Sequence, residues 1–167
     1  YGFSNYLWGG TANWRYLIKQ EKFESINVRI GTSALQFDSH EPINPTINTS
    51  YTLFNNDNFM KLYKKTYAAF NYQKELINGL IGYYNMEYAE RSALRNTSDY
   101  LWVDNTNKLF TSNDPLKPHT DDSSFTVNNA FVVGLGFSIR FKQKYYTRPH
   151  EKRIIGSKYP IINIFYS

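Results

Sequence analysis

Histidines and acidic loop residues are the side chains of this sequence that could ligate a metal ion or move a proton. His40, His119 and His150 lie far apart along the chain, and cysteine is absent. None of the histidines has the His-x-x-x-His spacing that places two ligands on one helical face. We therefore interpret all three as solvated loop residues and expect no transition-metal site.

The segment "NDPLKPHTDD" brings four oxygen-bearing side chains close together in sequence. They are Asn113, Asp114, Asp121 and Asp122. Calcium prefers such oxygen ligands, but the segment lacks the spacing of an EF-hand loop. Asn, Asp and Pro are also the residues that form turns, so we interpret the segment as a polar loop and keep calcium binding as the alternative.

A basic stretch near the end of the chain could contact an anionic partner. Its members are Lys142, Lys144, Arg148, Lys152, Arg153 and Lys158, with Tyr145 and Tyr146 among them. Glu151 interrupts the run and no nucleic-acid motif frames it, so we predict that nucleic acid is not a partner. A turn near a membrane, with anionic lipid headgroups beside it, fits the pattern better, and lining of a lumen is a further reading.

No catalytic motif is present in this sequence. A phosphate-binding glycine loop, a nucleophile elbow and a paired-carboxylate motif are all missing. Glu87 and Arg91 share one strand face and could bind a substrate, but a structural polar network with Glu75 and Arg140 is the simpler interpretation. We expect a protein that is not an enzyme and that needs no cofactor.

The composition limits which elements can carry these residues. Aromatic residues make up 18% of the chain, the net charge is +5 and the mean hydropathy is -0.56. No run approaches the roughly 18 apolar residues of a membrane-spanning helix. A spanning β-strand exposes only alternate residues to lipid, so this composition is compatible with a membrane barrel. The chain starts at Tyr1 without Met or a leader, and we expect it to be a piece of a longer protein.

Residues 131–141, "FVVGLGFSIRF", give the clearest strand signal. Every second residue from Phe131 to Phe141 is apolar, whereas Gly134, Ser138 and Arg140 occupy the positions between. Such alternation is typical of a strand with two different environments, and about 9 to 11 residues cross a bilayer as a tilted strand. The alternative is a long strand of a soluble sandwich.

Two further hairpins follow from the same alternation. Residues 68–76 and 80–88 match best through a three-residue loop, Ile77 to Gly79, in which Gly79 is left-handed, because a two-residue loop would oppose polar and apolar side chains. Residues 12–18 and 26–30 pair across a turn at 19–23.

Residues 38–65 and 96–125 are predicted as long polar loops, with a short helix at 56–65, and residues 147–157 as a basic turn. Short turns at one end and long loops at the other are typical of an outer-membrane barrel.

The alternation assigns a predicted environment to each strand face. The predicted lumen-facing residues are Asn71, Gln73, Glu75, Asn85, Glu87, Arg91, Ser138 and Arg140. The predicted lipid-facing residues are Phe70, Tyr72, Tyr84, Met86, Tyr88, Phe131, Val133, Leu135, Phe137, Ile139 and Phe141. The facing of the closing strand, "YPIINIFYS", is undecided, because apolar residues occupy both of its faces.

Several motifs also carry a family resemblance. "NFMKLYKKTYAAFNYQKELINGL", "MEYAERSALRNTSDY", "NDPLKPH" and "RPHEKRIIGSKYP" resemble the barrel region of a Bacteroidota outer-membrane family of uncharacterised function. Members of that family usually carry an N-terminal carboxypeptidase-regulatory-like domain. The resemblance covers most of residues 45–167 and implies a location in the outer membrane. It supplies no catalytic residues.

The predicted fold class is all-β: residues 1–167 form part of one transmembrane, antiparallel, up-and-down β-barrel. We expect a non-enzymatic transport, assembly or surface-interaction component of the outer membrane. Its expected partners are outer-membrane lipid and other outer-membrane or periplasmic proteins. Two alternatives stay open at this point: a soluble aromatic-rich β-sandwich that binds glycans, and a hydrolase whose site is built from the long loops.

Overall fold

The structure is a computed structural model, and it describes residues 7–38, 40, 43–94, 101–103, 111–115, 126–149 and 151–167. Its strands are β1 (Gly10–Lys19), β2 (Glu24–Gln36), β3 (Leu62–Ile77), β4 (Leu80–Ala93), β5 (Asn128–Arg140), β6 (Lys144–Arg148), β7 (Glu151–Gly156) and β8 (Ile161–Tyr166). One α-helix, α1 (Pro45–Asn55), and one 3-10 turn, Gln20–Lys22, complete the described elements. No helix in these ranges is long and apolar enough to cross a membrane.

Six of these strands form one sheet in the order β1-β2-β3-β4-β5-β8, and β6 pairs with β7 in a separate hairpin. The sheet follows chain order except where the β6–β7 hairpin is inserted between β5 and β8. The prediction of a mostly antiparallel all-β fold is confirmed. The predicted basic turn at 147–157 is wrong, because Tyr146 pairs with Arg153 and Arg148 with Glu151 across a hairpin. The β-branched and aromatic residues of the 144–156 segment favour strands.

The chain divides into two compact units, which we describe separately. The turn unit comprises Ala12–Ile30, Tyr67–Ala89 and Ala130–Ser167. The loop unit comprises the described residues of Tyr1–Thr11, Gly31–Thr66 and Glu90–Asn129.

Helix α1 belongs to the loop unit and lies inside the predicted long loop at 38–65. Asn44 caps it, since its side chain accepts a hydrogen bond of 2.8 Å from the Thr46 backbone N–H, and Pro45 occupies the first turn. The helix ends where Asn56 adopts a left-handed conformation with φ 61°. Asn at the N-cap followed by Pro is a strong start signal. The predicted helix at 56–65 is therefore wrong: the helix precedes that segment, and β3 begins at Leu62.

A chain of buried asparagines holds the loop unit together. The Asn48 side-chain oxygen accepts a hydrogen bond of 2.8 Å from the backbone N–H of Phe59, and its amide donates to Asn58 over 2.9 Å. The Asn58 amide donates to Asn113, whose own amide donates to the Leu94 carbonyl, both over 2.9 Å. Buried amides satisfied in this way fix the backbone segments that they join. These bonds give Asn113 a structural role.

The β3–β4 turn belongs to the turn unit and depends on a glycine. Gly79 has φ 85°, as predicted for the left-handed position, although β3 extends to Ile77, one residue further than predicted. The Gly79 carbonyl accepts a hydrogen bond of 2.7 Å from the Arg140 backbone N–H. A Cβ atom at Gly79 would overlap the Arg140 carbonyl oxygen. Glycine is thus required here by backbone conformation and by close approach.

We expect Gly79→Ala to lower the free energy of unfolding by at least about 1–2 kcal/mol, because alanine must adopt the left-handed conformation and displace the Arg140 carbonyl. Gly82→Ala is the matched control. Its Cβ would meet Leu76 Cδ1 at 3.5 Å, an ordinary contact. Urea unfolding, followed by tryptophan fluorescence, measures both variants. Equal losses would contradict the role assigned to Gly79.

Candidate functional site

Strand register within the turn unit decides which side chains share a face. Phe137 pairs with Ile164, and Ser138 pairs with Asn163, in antiparallel register. Directly opposite residues project to the same side of a sheet, and successive residues project to opposite sides. The facing of the closing strand, undecided from the sequence, is thereby settled: Ile164 shares a face with Phe137, and Phe165 lies on the opposite face.

One side of the sheet, the polar face, carries small and polar residues. A Cβ atom at Gly134 would clash with the Asn85 amide, and one at Gly136 would clash with the Phe165 ring, so both side chains lie over glycines. The Tyr83 and Phe165 rings are 6.0 Å apart, centroid to centroid. Glycine lets these larger groups lie directly against the strand.

A groove of 620 Å³ lies in the turn unit beside these residues. Its lining consists of Arg15, Ser25, Asn27, Asn71, Tyr72, Gln73, Tyr83, Tyr84, Asn85 and Phe165. Amide, hydroxyl and guanidinium groups provide both hydrogen-bond donors and acceptors, and four aromatic residues, Tyr72, Tyr83, Tyr84 and Phe165, provide apolar walls. Tyr72 and Tyr84 were predicted to face lipid. Such a surface can hydrate or bind a polar solute, and it offers no nucleophile and base pair.

The opposite side of the sheet, the apolar face, exposes large hydrophobic side chains. Phe131 is 63% exposed, Leu135 is 52% exposed and Val133 is 40% exposed. The Phe70 and Tyr84 rings meet edge to face with centroids 6.4 Å apart, as expected if alternate residues of β3 and β4 share this side. The Phe137 ring lies near Gly82, which places β5 residues of odd number on the same side. No described residue of the turn unit covers Phe131.

Burial in the described residues is the reverse of that in an ordinary soluble domain. Three apolar residues are buried, namely Ala69, Ala89 and Leu94. The buried polar or charged residues are Glu24, Ser25, Asn48, Asn56, Asn58, Glu75, Thr111, Asn113, Asp114, Ser138, Gln143 and Lys152. Soluble domains bury Ile, Leu, Val and Phe, and they rarely bury Glu and Lys. The large apolar side chains of this chain are instead at its surface.

A buried ion pair joins the polar face to the β6–β7 hairpin. The Lys152 ammonium donates to the Glu75 carboxylate, and the two side chains are 7% and 5% exposed. Glu75 also accepts hydrogen bonds of 3.1 Å from the Gly79 backbone N–H and from the Gln143 amide. The Lys152 ammonium lies 4.1 Å from the centroid of the Tyr145 ring. Charges buried to this degree are tolerated because each is paired and hydrogen-bonded.

Asn78 extends this cluster into the β3–β4 turn. Its side-chain oxygen accepts from Gln143 at 3.0 Å and from Lys152 at 3.1 Å, and its amide donates to the Gln143 carbonyl at 2.9 Å. Strand β7 also contacts the 3-10 turn Gln20–Lys22. The hairpin therefore lies at the short-turn end of the sheet and is attached there on the side of Glu75.

The structure brings together only some of the predicted lumen-facing residues. Asn71, Gln73 and Asn85 line one groove, and Glu75 anchors the hairpin cluster. Ser138 is buried, and the Arg140 Nε atom is buried with no hydrogen-bond partner among the residues that the structure describes.

Two predicted lumen-facing residues and one predicted lipid-facing residue lie elsewhere than expected. Glu87 belongs to the turn unit but does not line the groove, whereas Arg91 is an exposed residue of the loop unit. Phe141, predicted to face lipid, lies in the turn after β5 and not within the strand. The assignment of the polar face to a lumen and of the apolar face to lipid stays a prediction.

Several residues of the candidate site were missed from the sequence. Lys152 is the most important, since the sequence placed it in a basic turn near a membrane or in a lumen lining, and Gln143, Arg15 and Phe165 were missed as well. In β7, residues Lys152 and Ile154 alternate with Arg153 and Ile155, so neither face is uniformly apolar or polar. Only the pairing with Glu75, 77 positions away, distinguishes Lys152 from its neighbours.

The predicted metal and histidine residues are only partly described. Among the described residues, no group of three His, Asp or Glu side chains could hold a metal ion. His119, His150, Asp121 and Asp122 lie outside the described residues. His40 is exposed, and hydrogen bonds from its backbone N–H and its ring hold the pKa of the Asp38 carboxyl below its usual value.

These observations define an antiparallel β-sheet protein with a hydrogen-bonding polar face and an exposed apolar face. The chain belongs to a family of unknown function, DUF5686, and its C-terminal domain model matches residues 1–167. No curated protein and no solved structure matches the chain. The expectation of a family of uncharacterised function is thus met, and the membrane location implied by the resemblance passes to the proposal below.

Proposed function

We propose that this chain forms part of a transmembrane β-barrel in the outer membrane of a Gram-negative bacterium. The observation that carries the proposal is the reversed burial: apolar side chains such as Phe131 and Leu135 are exposed, whereas Glu75 and Lys152 are buried. A contiguous apolar surface of this kind marks a contact with lipid or with another protein. Because every second residue of β5 takes part, lipid hydrocarbon on one side of a spanning strand explains the pattern most simply.

Strand lengths support the same proposal. Strands β2, β3, β4 and β5 contain 13, 16, 14 and 13 residues. A strand tilted in a bilayer needs about 9 to 11 residues to cross it, whereas strands of soluble proteins usually contain about 5 to 6. These four strands are long enough to cross and to extend beyond the hydrocarbon.

Tyrosines at the short-turn end fit a membrane interface. Alternation along β3 assigns Tyr72 to the apolar face, and its hydroxyl donates a hydrogen bond of 2.7 Å to Glu24, beside the turn at 20–22. A ring that is apolar on one side and hydrogen-bonded at its tip is typical of the aromatic belts of membrane proteins.

The proposed role is non-enzymatic: transport, assembly or surface interaction. The groove that contains Gln73 and Asn85 offers hydrogen bonds to a passing or bound polar solute and no catalytic pair. Outer-membrane lipid is the proposed partner of the apolar face, and outer-membrane or periplasmic proteins are proposed partners of the exposed turns and loops. The resemblance to a Bacteroidota family with an N-terminal carboxypeptidase-regulatory-like domain supports this location and a longer full-length chain.

The soluble-sandwich alternative would require a second sheet against Phe131 and Leu135. The other sheet in the described part of the chain is the β6–β7 hairpin, and Lys152 attaches that hairpin on the side of Glu75. This arrangement supports the barrel over the sandwich. The hydrolase alternative depends on loops 38–65 and 96–125, much of the second of which lies outside the described residues.

The absence of cysteine allows a direct experimental test of the proposed lipid contact. Single cysteines replace Val132 and Val133, neighbours on opposite faces that are 41% and 40% exposed, and each is labelled with an environment-sensitive fluorophore. In the full-length protein reconstituted into phosphatidylcholine vesicles, we expect quenching by acyl-chain spin labels at position 133 and little at position 132. Absence of quenching at both positions would contradict the barrel.

A further inference from the structure

Three lysines converge on one groove at the short-turn end of the sheet. The groove has a volume of 550 Å³, and Lys142, Lys144 and Lys158 line it together with Tyr159 and Ile155. The residues come from the turn after β5, from β6, from β7 and from the segment before β8, so the fold assembles the site from separate parts of the chain. It is distinct from the polar groove and from the Glu75–Lys152 ion pair.

The groove has a positive charge that no carboxylate of the described residues neutralises. None of the three ammonium groups forms an ion pair with any described residue, whereas Lys152, Lys74 and Arg153 each have a carboxylate partner. Like charges gathered without counter-charges repel one another, and an anion between them would remove that repulsion. The lining therefore selects an anionic ligand.

The backbone and the Ser157 hydroxyl position Lys142 and Tyr159 at the groove. Lys142 has φ 48°, a left-handed conformation that is costly for a residue with a side chain, and its ammonium lies 5.5 Å from the centroid of the Tyr159 ring. The Ser157 hydroxyl donates to the Phe141 carbonyl over 2.5 Å and accepts from the Tyr159 backbone N–H over 3.1 Å. These bonds hold Tyr159 beside Lys142.

Apolar groups border the same groove. Ile155 is 66% exposed, and Phe141 follows the last residue of the strand that carries Phe137 and Ile139 on the apolar face. An anion that fills this groove would thus have an apolar surface next to its charge. That combination matches a phosphate diester attached to acyl chains more closely than a free ion.

We propose that Lys142, Lys144 and Lys158, with Tyr159, bind the phosphate of an anionic phospholipid headgroup at the short-turn end of the sheet. This inference rests on the proposed function, because a barrel in a bilayer places that end of the apolar face at the headgroups. It adds a specific lipid site to the general contact with hydrocarbon.

Calorimetry on the full-length protein in dodecyl maltoside micelles tests the site. The probes are dihexanoyl-phosphatidylglycerol, its phosphatidylcholine counterpart and inorganic phosphate. We expect the phosphatidylglycerol to bind at least about tenfold more tightly than either of the others, and each lysine removed to weaken it about fivefold. The variant Lys142→Ala/Lys158→Ala should lose selectivity, and Lys142→Arg/Lys158→Arg should retain most of it. Lys22→Ala, an exposed lysine outside the groove, is the matched control.

The outcomes separate this site from the barrel proposal. Equal affinity for the two lipids, or an equal loss in Lys22→Ala, would overturn the headgroup site. Inorganic phosphate binding as tightly as phosphatidylglycerol would show a site for a soluble anion and would also overturn it. If lipid quenches the label at position 133 but phosphatidylglycerol is not bound selectively, the barrel proposal stands and the headgroup site is overturned. If phosphatidylglycerol is bound selectively but the label at position 133 is not quenched, the headgroup site stands and the barrel proposal is overturned.

Discussion

Val133→Arg is expected to abolish membrane assembly of the full-length protein, whereas Val132→Arg should be tolerated. The two valines are adjacent in β5, are of one residue type and have nearly the same exposure, 40% and 41%. They differ in the face from which they project. Under the barrel proposal, arginine at 133 must enter hydrocarbon at a cost of about 2–4 kcal/mol near the midplane, whereas arginine at 132 remains in water.

The measurement is the amount of folded protein recovered in the outer-membrane fraction and its resistance to heat in detergent gels. If the side chains at both positions lay in water, the two variants would be recovered in equal amounts, because a surface substitution in water changes stability by only about 0.5 kcal/mol. If Val133→Arg lost folded protein but the protein stayed soluble and self-associated, a protein layer would cover the apolar face. Either result would overturn the lipid contact.

Lys152→Met is expected to lower the free energy of unfolding by roughly 3–5 kcal/mol, because it leaves the buried Glu75 carboxylate without its counter-charge. The effect should be similar for Glu75→Leu, which leaves the Lys152 ammonium without its counter-charge. The double variant Glu75→Leu/Lys152→Met should recover much of the loss, since neither buried charge then remains. Urea unfolding in detergent micelles measures all three.

Glu151→Gln provides the matched control, because it breaks an ion pair of the same hairpin that is exposed. Its partner Arg153 is 56% exposed, and exposed pairs contribute little. If the buried and the exposed variants lose equal stability, the hairpin is not held by Glu75. A double variant as unstable as the singles would show that hydrogen bonds of the cluster, such as that from Gln143 to Glu75, contribute more than the charge balance.

The fold could be predicted from the sequence where a local rule applied. Alternation over residues 131–141 predicted β5, and the three-residue loop from Ile77 to Gly79 predicted the β3–β4 turn, with Gly79 left-handed. Both signals depend on residues within one strand or one turn. The segment at 38–65 shows the limit: the helix was predicted at 56–65, whereas the start signal of α1 lies at Asn44 and Pro45.

The candidate site was predictable to a smaller degree. Asn71, Gln73 and Asn85 were placed on one face by alternation, and the structure brings them to one groove. Phe165 could not be placed, because β8 has apolar residues on both faces and its orientation depends on pairing with β5. The three lysines of the proposed headgroup site were identified as basic residues near a membrane turn, but not as a single groove.

Long β-strands with two different faces and the lack of cysteine and of catalytic motifs follow from the sequence alone, since alternation and composition are properties of neighbouring residues. The tertiary structure alone decided that Lys152 is buried against Glu75 and that the 144–156 segment is a hairpin at the short-turn end. Those features join residues far apart in the chain. Their energies depend on which side chains the turns bring within hydrogen-bonding distance, and no local pattern encodes that distance.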